Sequence, residues 1–216
     1  MSARIRIDVW SDVVCPWCYI GKRRLETALS RFEHAGDVVV RWHSFQLDPS
    51  IPAGHREPVQ EMLAKKIGAP ASQVRAMTHQ VTQLADAEGL TYHLDRAISV
   101  NTRDAHRLAH LAAEHDLGTE MHERLLRAHL CDGEVVDEPE TLIRLAAEVG
   151  VPADEAAEVL RTTKYSAEVD TDIRNARKIG INGVPFFLLN ETYGLSGAQA
   201  PETILSALNK VHALAS

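Results

Sequence analysis

Cys15-Pro16-Trp17-Cys18 stands between the apolar run Ile5-Arg6-Ile7-Asp8-Val9-Trp10 and the helix-patterned run Tyr19 to Phe32. A strand feeding a helix whose first turn carries two thiols three positions apart is the layout of a thiol-disulfide redox centre. Residues i and i+3 share a helix face, so Cys18 reaches Cys15 and can close a small disulfide ring. Pro16 starts the helix directly after the first thiol, because its fixed φ suits a first turn that needs no backbone donor there. Cys15 is expected at the exposed end, where free amides and the positive helix pole favour a thiolate over a thiol. On this reading Cys15 is the nucleophile and Cys18 the resolving thiol. The competing reading is half a zinc site. Structural zinc needs a second pair of Cys or His ligands, and Cys131 is the one cysteine left.

Working outward, residues 4 to 10 read as the first strand, and the following helix places Leu25, Ala28, Leu29 and Phe32 on one side. Gly36-Asp37 turns the chain into Val38-Val39-Val40-Arg41-Trp42-His43-Ser44-Phe45, a β-branched and aromatic run expected to be a second, buried strand. A strand, helix and strand of this length imply a right-handed crossover and a parallel pair. The cysteines then fall at the carboxyl end of the first strand, where open α/β sheets place their sites.

From Asp48 to about Tyr165 strand signals vanish. Amphipathic helical segments follow one another at 59–67, 72–88, 102–115, 120–131, 141–149 and 154–160, separated by glycines and prolines. A longer helix is expected from Ser166 to Ile179. The β pattern returns in Val184-Pro185-Phe186-Phe187-Leu188-Leu189, turns at Asn190-Glu191, and pairs back through Thr192 to Ser196. A last helix opens at Pro201 with Ile204, Leu205, Leu208, Val211 and Leu214 on its apolar side. The class is α/β, with βαβ and ββα units interrupted by a large all-helical insertion. The expected domains are 1–48 with 166–216, and 49–165 as the insertion.

This order resembles a thioredoxin fold split by a helical domain, and the chain is similar to the DsbA-like thioredoxin-fold family, in its FrnE-like branch of oxidoreductases. The resemblance rests on Asp12-Val13-Val14-Cys15-Pro16-Trp17-Cys18-Tyr19-Ile20-Gly21, Ala105-His106-Arg107-Leu108, Gly183-Val184-Pro185-Phe186-Phe187 and Ser196-Gly197-Ala198-Gln199. It implies that Pro185 is a cis proline opposite the cysteines, against a background of about 5% for X-Pro bonds. It also implies that Val184 offers backbone groups to an extended substrate segment. Hydroxychromene-carboxylate isomerases and kappa-class glutathione transferases share the layout but carry serine at the position of Cys15 and lack the resolving thiol. The presence of both thiols favours redox chemistry, with a glutathione-dependent isomerase or transferase acting on a small aromatic molecule as the alternative.

The 216 residues are 45% hydrophobic and 25% charged, an ordinary globular composition with ample length for a core. A formal charge of -7 with no offsetting basic cluster speaks against nucleic acid. Lys22-Arg23-Arg24 reads as a solvated helix face. No apolar stretch approaches the roughly 20 residues that span a bilayer. Met1-Ser2-Ala3-Arg4 shows no apolar leader segment, so a cytoplasmic location is expected. The expected partner is a disulfide or thiol, protein or small molecule, for a monomer or homodimer. No resident cofactor is expected, and glutathione is a candidate co-substrate.

Among the remaining residues, Pro16 and Trp17 are assigned to substrate contact, since the tetrapeptide loop leaves Trp17 little cover. Asp12 and His43 are candidate modulators. Asp12 is three residues before Cys15, and its negative charge would oppose the helix end; His43, near the carboxyl end of the second strand, reads first as a half-buried strand residue, with a proton relay beside the cysteines as the functional alternative. His106 and His110 stand one helical turn apart with Glu114, a set too small for a metal site and read as polar helix surface. Asn101 reads as a helix N-cap and Cys131 as a structural thiol.

Overall fold

The computed structural model describes residues 5 to 215; Arg4, the expected first residue of the first strand, lies outside them. In chain order the elements are β1 (Ile5–Ser11), α1 (Pro16–Ser30), β2 (Val38–Ser44), β3 (Glu57–Pro58), α2 (Val59–Ile67), α3 (Ala71–Ala87) and β4 (Ile98–Ser99). Then come α4 (Arg103–Glu114), α5 (Gly118–Arg127), α6 (Pro139–Glu148), α7 (Ala153–Arg161), α8 (Ser166–Lys178), β5 (Phe186–Leu189), β6 (Tyr193–Ser196) and α9 (Pro201–Ala215). The chain divides into two compact units, residues 1–47 with 171–216, and residues 48–170. The second boundary lies inside α8, where a continuous helical pattern carries no mark of it.

In the first unit the sheet order is β2-β1-β5-β6. β1 and β2 run parallel, as the crossover requires, with Ile5 opposite Val38 and Ser11 opposite Ser44. β5 is antiparallel to both β1 and β6. The pleat separates two layers. Ile5, Ile7, Val9, Phe187 and Leu189 point to the side where Leu25 and Ala28 of α1 and Ile204, Leu208 and Val211 of α9 complete a buried core. Trp10 points to the other side and packs with Ala176 of α8, Ile181 and the half-buried Val184 and Phe186. Each fully buried aliphatic side chain in such a layer contributes about 1.5–3 kcal/mol, so both faces of β1 are anchored next to the cysteines.

β2 is half-buried, not buried, because it is an edge strand. Its last outward amide is covered: Ser44 N donates to Asp172 Oδ2 at 2.9 Å. At the other sheet end, Asn190 and Glu191 have φ of +45° and +58°, a two-residue reversal of the kind that matches strand twist. Arg6 holds it, donating its amide to Asn190 Oδ1 at 2.8 Å and pairing with Glu191 through its guanidinium. The basic triplet on α1 is also not a solvated face. Lys22 is buried and paired with Glu26, Arg23 pairs with Glu26 and covers Tyr19, and Arg24 donates to the Ala198 carbonyl.

The second unit is helical but not wholly so, for β3 and β4 form a short antiparallel pair, Glu57 against Ser99. Two residues per strand are too few for any periodicity to register. The helix expected at 120–131 is α5 followed by a π-helical turn, Ala128–Asp132. The wider turn has two causes: His93 N donates to Leu130 O at 2.8 Å, and left-handed Gly133 lets Glu134 N bond back to Ala128 O at 2.8 Å. At the start of α4 the N-cap residue is Thr102 and not Asn101 as expected; Asn101 stands one position before it, where its Oδ1 accepts the Arg103 amide at 2.8 Å. His106 is buried and not polar surface, and His110 stacks on Tyr165.

Candidate active site

The site in the first unit is assembled where β1 ends and α1 begins. Cys15 has extended backbone, φ -87° and ψ 112°, and Pro16 is the first helical residue. The amide of Cys15 donates to Asp12 O and that of Cys18 to Cys15 O, each at 3.0 Å. These two bonds form the tight turn that brings the thiols to one helix end. Facing them, the Val184-Pro185 bond is cis. The Cys15 thiol donates to Val184 O at 3.5 Å.

Cys15 was expected at an exposed end, but it is only 3% exposed. Its sulfur lies under the Val184 carbonyl, a contact between residues 169 positions apart that no local pattern shows. Trp17 is the open part of the tetrapeptide at 39% exposure, while Pro16 is half-buried. Leu47 is also exposed, just past the end of β2, where its amide donates to Asp12 Oδ2 at 2.8 Å.

Cys18 is buried, and burial pushes its thiol well above the ordinary value, with the neighbouring Cys15 adding to the effect. Hydrogen bonds from the Ser11 hydroxyl and the Asp12 amide act the other way and favour its thiolate. The two thiols therefore differ in environment: one at the helix start beneath a carbonyl, one whose burial favours the protonated thiol. Ser11 went unnoticed in the sequence because it reads only as the end of a strand. The signal was its place, seven residues before Cys18 at the carboxyl end of β1.

Asp12 acts on this turn through its backbone, with its carbonyl on Cys15 and its amide on Cys18, while its carboxylate accepts from Leu47. His43 is not a relay to the thiols. Its Nε2 meets Asp8 Oδ1 at 2.8 Å and its Nδ1 meets Asp172 Oδ1 at 2.9 Å, so both ring nitrogens are engaged. The ring stacks on Trp10, on the α8 side of the sheet. Burial works against the charged ring, but the hydrogen bonds and charges of Asp172, then Asp8, outweigh it and raise the His43 pKa above its ordinary value.

That shift sets a pH dependence. A group with a raised folded pKa contributes stability that is complete below its unfolded value, about 6.5, and is lost as pH rises through the folded value. Arg6, which also pairs with Asp8, stays charged throughout. The stability advantage of wild type over His43→Gln is therefore expected to be full below about pH 6.5 and to shrink as pH rises above it, read from urea midpoints. An advantage that stays constant across that range would refute a charged His43.

With this geometry in hand, comparison with known proteins is direct. The family model described as the DSBA-like thioredoxin domain matches residues 6–209. A crystal structure of a probable DsbA oxidoreductase from Streptomyces coelicolor is similar at 38% identity and a TM-score of 0.93, covering 96% of this chain and 90% of that one. A Bacillus subtilis protein, YwbO, itself described as uncharacterised, is 26% identical over 218 residues, 95% of this chain and 96% of the relative. The structure of a cytosolic disulfide reductase, DsbM, from Pseudomonas aeruginosa has a TM-score of 0.68 at 20% identity, covering 97% of this chain and all of that one. At that identity the likeness is one of fold.

Proposed function

We propose, starting from the fact that this chain belongs to the DSBA-like thioredoxin domain family, that it is an enzyme of thiol-disulfide exchange in which Cys15 attacks and Cys18 resolves. The observation that carries the reading is the asymmetry of the pair, both of them buried: Cys15 at the first turn of α1 with its sulfur on Val184 O, Cys18 one turn on with its thiol pushed up by burial. In the reducing direction the Cys15 thiolate attacks one sulfur of a substrate disulfide. A Cys15-substrate disulfide forms and the other substrate sulfur leaves as a thiolate, which takes up a proton. Cys18 then loses its proton and attacks the Cys15 sulfur, forming the Cys15-Cys18 disulfide and releasing the second substrate thiol. The substrate gains the electron pair that the dithiol gives up, and the oxidising direction is the same path reversed. Pro16, Trp17, Val184 and Pro185 are assigned to substrate contact, with the Val184 backbone serving an extended segment by strand addition.

Direction depends on potential. The Pseudomonas relative is described as cytosolic. In such a compartment, with a poise near -240 mV, a strongly oxidising pair at about -120 mV would lie about 5.5 kcal/mol toward the dithiol. We assign the reducing or isomerising direction there. No helix among the described residues is long and apolar enough to cross a membrane.

The test uses a Cys131→Ser background so that the third thiol does not count. Exposed to oxidised glutathione or to a disulfide-bonded peptide, the reduced protein is expected to lose both remaining thiols and release the substrate's thiols in step. Cys15→Ser should do neither. A protein with Cys15 and Cys18 intact that releases no substrate thiol would overturn the assignment and favour the glutathione-dependent isomerase alternative.

A further inference from the structure

Gly21 lies in the middle of the helix that carries the cysteines, where glycine weakens a helix relative to alanine and has no conformational reason to be. The reason is space. A Cβ built on Gly21 would stand 2.9 Å from Pro185 Cγ, 3.2 Å from Phe187 Cζ and 3.5 Å from Pro185 Cβ. The first of these is closer than real Cβ contacts come, and a proline ring carbon is not the free end of a flexible chain. Gly21 and Pro185 are both buried, so the contact is internal to the unit and not a surface brush.

We propose that Gly21 is a positioning residue for the exchange reaction: its missing side chain lets the Pro185 ring seat on α1, one turn past Cys18, and that seat fixes the Val184 carbonyl against the Cys15 sulfur. This rests on the exchange reading above.

The loop is held by hydrogen bonds on one side of Pro185 and not on the other. Phe186 and Phe187 are tied on both sides, to Trp10 and Val9 of β1 and to Ser196 and Leu195 of β6. The Pro185 carbonyl accepts the Gly197 amide at 2.8 Å. From Pro185 onward, then, the chain is pinned. Residues before it carry no such ladder: an added Cβ at Gly183 would meet nothing within 4 Å, and Gly183 itself is exposed. A methyl group under the Pro185 ring therefore displaces the segment on the side that lacks ladder bonds, where Val184 is held only by half-buried packing, and the first group there is the Val184 carbonyl, 3.5 Å from Cys15 Sγ. Phe187, in the same contact, belongs to the closed core between the sheet, α1 and α9 and has no room to retreat.

The test compares Gly21→Ala with Gly36→Ala, the same substitution at an exposed glycine whose added Cβ meets nothing within 4 Å. For Gly21→Ala, correctly folded by circular dichroism, the rate of mixed-disulfide formation at Cys15 is expected to fall at least tenfold with a measurable change in the reduction potential of the pair. Gly36→Ala should match wild type in both. A merely structural glycine would lower the urea midpoint and leave rate and potential of the folded protein unchanged, and that result overturns the proposal. If Gly21→Ala does not fold, Phe187→Leu with and without Gly21→Ala relieves the 3.2 Å contact while keeping the one to Pro185, and equal rates in that pair would overturn it too. Loss of exchange in wild type would instead refute the exchange reading itself.

Discussion

Cys18→Ala is expected to stop turnover, by at least about a hundredfold, while a mixed disulfide accumulates on Cys15 to one equivalent of protein. On the proposed exchange mechanism the two thiols carry different steps. Cys15 would meet substrate at the start of α1, where its sulfur contacts the Val184 carbonyl. Cys18 is buried and its thiol is pushed up by that burial, which on the proposed mechanism makes it a poor first nucleophile and suits it to act second, once Cys15 holds a partner. Removing Cys18 leaves the first step intact and deletes the only internal route out of the intermediate. Intact-mass measurement of the adduct, with steady-state thiol release alongside, checks both halves. Undiminished turnover in Cys18→Ala would sink the dithiol mechanism, because a glutathione-dependent isomerase has no use for a second thiol.

What could be read in advance follows from how far apart the interacting residues are. β1, α1 and β2 announce themselves through local period and punctuation, so the parallel βαβ unit and the place of Cys15 at its carboxyl end were legible. The cis Val184-Pro185 bond was expected from resemblance and not from any local rule. Other features depend on contacts across long stretches of chain. Cys15 is covered by a residue 169 positions away, and β2 is an edge strand because β5 and β6 add to the other side of β1. His43 looked like a relay in one dimension because its strand ends near the cysteines. The side it faces is decided by the pleat, and Asp172 waits there on a helix 129 residues later. Gly21 sat in plain view within the motif, but a glycine's purpose lies in what touches it.

The insertion carries the second large effect. Arg107 was noticed as part of Ala105-His106-Arg107-Leu108, with no role attached; its guanidinium ties together the end of α7 and the turn into α8. Nε donates to Lys164 O at 2.8 Å, Nη2 to the carbonyls of Val159 and Thr162, and Nη1 to Asp104 Oδ1 at 2.7 Å. The last carbonyls of a helix run short of partners within it, and Arg107, its side chain only 6% exposed, supplies a donor there. Just beyond, Tyr165 adopts φ +63°, held by a 2.6 Å bond from its hydroxyl to Glu114 Oε2. Arg107→Ala removes the guanidinium from three carbonyls at once, one of them buried, and the expected loss is about 1–3 kcal/mol, the range for leaving a buried acceptor without its donor. Arg107→Lys should recover only part of it, because an ammonium lacks the planar fork that serves three carbonyls in different directions. Urea unfolding followed by helical circular dichroism reads the loss, and amide exchange should quicken first across residues 159–165. A change below about 1 kcal/mol would mean that water replaces the guanidinium without cost, and that the α7–α8 turn stands on its own.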